Sequence, residues 1–89
     1  MNQISQIDIS LMDMDDELIK FIHNYPGVLG RQNDDSMIEV VLEGGHDEVA
    51  EFTNDILKSF NPSIYRFYYD IYELSDGGLF TNLKYGVII

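Results

Sequence analysis

The chain contains no cysteine, which excludes disulfide stapling and thiolate metal sites. Its longest unbroken apolar runs are only a few residues, too short to span a bilayer. The opening MNQISQIDIS carries neither a basic segment nor an apolar core of the kind that directs secretion. A cytoplasmic protein without membrane contact is therefore expected. Basic residues are also scarce. Five lysines and arginines stand against sixteen aspartates and glutamates, a formal charge of −11 over 89 residues. That imbalance repels nucleic acid, so direct nucleic-acid binding is not expected.

Chemistry-bearing motifs are missing as well. Gly27, Gly30, Gly44 and Gly45 are followed by no GK[ST], and the neighbouring carboxylates would repel a phosphate. His23 and His46 have no spacing such as HExxH, so they point to structural or solvent-facing roles, not to a metal. Asp13, Asp15, Asp16 and Glu17 look like the start of a calcium loop but lack its glycine and its closing glutamate, which leaves helix capping as their role. No glycine-flanked serine offers a nucleophile. Neither an enzyme nor a cofactor is expected.

What the chain does have is hydrophobic pattern and acid. At 45% hydrophobic residues it holds enough apolar and aromatic material to fold despite its charge. Residues 1–89 read as one small acidic domain. Ile4 to Met12 alternates as a half-buried strand with Ile7, Ile9 and Leu11 inward. Asp13 to Glu17 opens a helix that carries Leu18, Phe21 and Ile22 and stops at Asn24-Tyr25-Pro26-Gly27. Val28 to Ser36, which follows Gly27 and holds Gly30 and the run Arg31-Gln32-Asn33-Asp34-Asp35, reads as an exposed loop. Met37 to Glu43 alternates again, with Ile38, Val40 and Leu42 inward. Asp47 to Phe60 is a second helix. Asn61-Pro62-Ser63 breaks the chain, Ile64 to Leu74 is an aromatic-rich strand, and Ser75-Asp76-Gly77-Gly78 turns into a closing strand from Leu79 to Ile89.

This order, β-α-β-α-β-β, predicts an α+β fold: a two-layer α/β sandwich whose mixed four-stranded sheet has two helices packed on one face. The opposite sheet face would show Gln6, Asp8, Ser10, Glu39 and Glu43, joined by Arg66, Tyr68, Asp70 and Tyr72.

The acids concentrate in one place. Between Asp34 and Asp55 lie Asp34, Asp35, Glu39, Glu43, Asp47, Glu48, Glu51 and Asp55, half of all carboxylates, with no lysine or arginine among them. Laid at about 100° per residue, Asp47, Glu48, Glu51 and Asp55 fall in one arc, opposite Val49, Phe52, Ile56, Leu57 and Phe60. Ordinary surfaces mix both signs, and unbalanced acid destabilises a small fold by self-repulsion. These eight acids, with Tyr68 and Tyr72, are the candidate partner-binding residues. The expected partner is a protein with a basic surface, foremost a nucleic-acid-binding enzyme.

In size, acidity and general build the chain resembles small inhibitors that cover basic sites, namely nuclease immunity proteins and the phage-encoded nucleic-acid mimics that block restriction or CRISPR effectors. The likeness rests on composition and transfers no residue roles. It implies an inhibitor that occludes a nucleic-acid-binding site. Two alternatives are an immunity protein for one cognate toxin and a self-associating subunit, a homodimer whose aromatic hairpin pairs edge to edge.

Overall fold

Alternation and helical spacing produce most of the expected elements. The computed structural model describes residues 3–60, 64–74, 77–78 and 80–87; the expected chain break at Asn61-Pro62-Ser63, and Ser75, Asp76, Leu79, Ile88 and Ile89, lie outside the described residues. The elements are β1 (Gln3–Leu11), α1 (Asp16–His23), β2 (Val28–Asn33), β3 (Met37–Glu43), α2 (His46–Phe60), β4 (Ile64–Leu74) and β5 (Phe80–Val87). Asp15 caps α1, its carboxylate accepting from the Glu17 and Leu18 amides at 2.9 and 3.3 Å, as the acid-rich opening predicts.

The sheet corrects the expectation in two respects. It has five strands in the order β2-β3-β1-β4-β5, and every neighbouring pair is antiparallel, so it is neither four-stranded nor mixed. The additional strand is β2, in the segment read as a loop. Nearly all of β2 is solvent-exposed because it lies at an edge, and its register shifts between Val28 and Gly30, so it carries no inward-outward alternation to read. Its hairpin with β3 is closed by Asp34, whose carboxylate accepts from the Ser36 and Met37 amides at 3.0 and 2.9 Å.

Adding β2 explains the absent parallel pairs. The strands joined through α1, β1 and β2, run in the same direction, as do β3 and β4 joined through α2. Each pair is separated by a strand of the other, β3 lying between β1 and β2, and β1 between β3 and β4. This is the double split β-α-β arrangement called ferredoxin-like, extended at one edge by β5. The aromatic strand β4 is interior, so edge pairing by its hairpin could run only through β5.

Both helices cover the same sheet face. Ile7, Ile9 and Leu11 of β1, Ile38, Val40 and Leu42 of β3, and Phe67, Tyr69 and Ile71 of β4 form one buried cluster with Leu18 and Ile22 of α1 and Val49, Phe52 and Ile56 of α2. An aromatic chain ties the helices together. Phe21 meets Phe60 at 5.5 Å and Tyr25 at 5.7 Å between ring centroids, and Tyr25 sets its ring edge-on to Phe52 at 5.0 Å. Where β3 enters α2, Gly44 has φ +118, and a Cβ there would strike the Glu48 side chain, so only glycine fits. Buried Ser5 donates to the Gly44 carbonyl at 2.8 Å and fixes this turn on β1.

Candidate functional site

The ten candidate residues fall in three places. Asp34 and Asp35 sit in the β2–β3 turn, exposed, with Asp34 engaged in closing it. Asp47, Glu48, Glu51 and Asp55 lie along α2, in the helical layer. Glu39, Glu43, Tyr68 and Tyr72 belong to the opposite sheet face, since their cross-strand partners there are the outward-facing residues of β1: Asp8 opposes Glu39 and Tyr68, and Ile4 opposes Glu43 and Tyr72. One flat partner cannot cover both layers, so the candidates do not form a single surface.

On α2 the acidic arc is not uniformly free. Glu48 accepts from the Gly45 amide at 2.7 Å, the third helical residue reaching back to the first free amide as in a capping box. Asp55 accepts the Tyr25 hydroxyl at 2.7 Å. Both therefore act in the fold, while Asp47 and Glu51 are exposed with no such contact. Glu43, at the end of β3, is the one candidate that reaches both layers: although its register partner is the outward-facing Ile4, it also joins Glu48, Glu51 and Asp55 around an open groove whose other walls are Tyr25, Pro26 and Leu42. Sequence reading treated Tyr25 as part of a helix stop and missed its place here, because its partner Asp55 lies 30 residues further along the chain.

Among the described residues, Tyr25 is also the one titratable group with a clear displacement. Burial pushes its phenol well above the usual tyrosine value, reinforced by the hydrogen bond to Asp55 and by the negative charges of Asp55 and Glu51. The sign follows from linkage. The unfolded chain releases this proton near the ordinary value of about 10, whereas the folded chain holds it, so the stabilisation is full below pH ~10 and drains away as pH rises toward the raised value. Tyr25→Phe is expected to cost about 1 kcal/mol at pH 7, because the lost bond involves a charged acceptor but is partly solvated. Urea melts at pH 8 and pH 11 should show the gap between wild type and variant narrowing as pH rises. A gap that stays constant would place the tyrosine proton outside the folding equilibrium.

On the open sheet face the residues stand in rows across the strands: Gln32, Glu39, Asp8 and Tyr68; Val41, Gln6 and Asp70; Glu43, Ile4 and Tyr72; Met37, Ser10 and Arg66. Arg66 lies over the Tyr68 ring at 5.8 Å and donates from Nη1 to the Tyr68 hydroxyl at 2.9 Å. Asp70 accepts from the Asn82 amide at 2.9 Å.

The positive charges hardly offset the acids. Lys20 pairs with Glu17 at 3.8 Å, and Arg31 donates to Asn33 at 2.7 Å. Among the described residues, no cation pairs with any of the eight carboxylates from Asp34 to Asp55. Among the described residues, no group of three or more His, Asp or Glu side chains is arranged to hold a metal ion, and no helix is long and apolar enough to cross a membrane. Fold and surface together define an α+β sheet-and-helix protein with unneutralised acid on both layers. Comparison with known proteins finds no matching family model, no matching curated protein and no matching solved structure.

Proposed function

We propose that the protein is an inhibitor acting by occlusion, without catalysis or cofactor, whose carboxylates occupy the basic nucleic-acid-binding site of a nucleic-acid-processing enzyme. The observation that carries this reading is that, among the described residues, no cation pairs with any of the eight carboxylates from Asp34 to Asp55. Like charges left uncompensated weaken a compact state, and a partner rich in lysine and arginine removes that repulsion on binding. A phosphate backbone presents the same regular negative charge, so a site built to grip phosphates would accept a rigid array of carboxylates.

The test is recovery of the partner from host lysate, followed by competition. Excess plain duplex or single-stranded nucleic acid should release the protein from its partner, because both occupy one surface. Retention of the complex under saturating nucleic acid would overturn occlusion and favour an immunity protein that grips its toxin away from the nucleic-acid site.

A further inference from the structure

We propose that the open face of the sheet, centred on Asp8 and Glu39 and flanked by Tyr68 and Tyr72, is the surface that docks the partner's lysines and arginines. The inference rests on the basic-partner reading above and adds the location, which that reading leaves undecided between the two layers.

Asp8 and Glu39 stand directly opposite one another on β1 and β3. Side chains so placed have β carbons about 5 Å apart, and like charges there repel. Among the described residues no cation pairs with either; Asp8 has only the Gln6 amide, at 3.5 Å. Asp70 of β4 lies one row away, opposite Gln6, so three adjacent strands each bring a carboxylate to the middle of the face. Glu43 adds a fourth at the rim, against Arg66 on this face and Arg31, which lines a shallow groove with Gln6, Gln32 and Glu39 but pairs with none of these acids. An incoming guanidinium or ammonium would relieve the Asp8–Glu39 repulsion as it binds, which is charge complementarity with its energetic source in the unbound fold.

The surroundings suit a protein partner. Tyr68 is the next residue in the row after Asp8, and Tyr72 stands opposite Ile4; both offer amphipathic area with few rotatable bonds. Strands hold these groups more rigidly than loops would, and both helices pack on the other face. The helical arc is a poorer candidate because Glu48 caps α2 and Asp55 holds Tyr25. A second copy of the chain would bring another −11 against the same acids.

The experiment maps binding of an oligoarginine peptide to the full chain by backbone amide chemical shifts at low salt, with Glu39→Lys in parallel. Saturable shifts should centre on Asp8, Glu39, Tyr68 and Asp70. Glu39 is exposed, so the variant should fold. Glu39→Lys should weaken peptide binding more than tenfold yet raise the melting temperature by about 1–4 °C, since it converts a like-charge pair into an opposite one. Stabilisation with loss of binding is a combination that simple damage to the fold cannot produce. Shifts confined to α2 and its groove would overturn the sheet face and keep the basic-partner reading. Shifts spread evenly over both layers would also overturn the sheet face, and no saturable binding anywhere would sink both. Sedimentation of the protein alone should show a monomer; a dimer that protects the open-face amides would give the surface to a second copy instead.

Discussion

Phe52→Ala is expected to lose about 3–5 kcal/mol of folding stability, the usual range for deleting a fully buried phenylalanine ring. Phe52 is 0% exposed, belongs to the cluster that holds Ile38, Val40 and Ile56, and receives the edge of the Tyr25 ring at 5.0 Å. A chain of this length has roughly 4–13 kcal/mol in total, taking about 0.05–0.15 kcal/mol per residue. The substitution therefore removes a large share of the whole. In urea the midpoint should fall by about 2–3 M with little change in slope, as measured by circular dichroism. The loss should also be non-additive with Tyr25→Phe, because the cavity left by Phe52 withdraws the packing that holds Tyr25 against Asp55. A midpoint within about 0.5 M of wild type would mean that this ring does not organise the core.

Phe52 also illustrates how much of the fold can be read in the chain. Its face of α2 follows from helical spacing alone, and the inward sets of β1 and β3 follow from alternation, because each segment is amphipathic and buries one side. Strand β2 has no such signature. It is exposed at the sheet edge and its register shifts between Val28 and Gly30, so burial imposes no period on Val28–Asn33. One missed strand altered the topology, since its insertion separates every pair of strands that a helix connects. The site divides along the same line. The acidic arc of α2 is a local property and visible in sequence. The capping role of Glu48 depends on the turn geometry at Gly44 and Gly45, and the role of Asp55 depends on a tyrosine from the other helix connection. The opposition of Asp8 and Glu39 requires the register of two strands that α1 and β2 separate in the chain. Composition showed that acid was in excess, and only the register showed where two acids face each other.

Raising salt should act in opposite directions on folding and on association, and this sign difference is the strongest expected signature of the proposed function. Charges on the partner and on this protein attract over a Debye length of roughly 30 Å at 0.01 M salt, about 8 Å at physiological salt and about 3 Å at 1 M. Steered association reaches about 10⁸–10⁹ M⁻¹s⁻¹ where an unsteered pair manages about 10⁵–10⁶, so the on-rate should fall by at least about 100-fold from the lowest to the highest salt. Dissociation, governed by close contacts such as those of Tyr68 and Tyr72, should change far less. Over the same series the isolated protein should become more stable, because ions screen the repulsion among carboxylates that carry a net −11. Stopped-flow mixing with the captured partner gives the first quantity and thermal melting gives the second. An on-rate that is indifferent to salt would remove charge steering, and with it the case for phosphate replacement, leaving recognition to the tyrosines of the sheet face. If the melting temperature also failed to rise with salt, the repulsion that makes a basic partner favourable would be absent from the unbound fold.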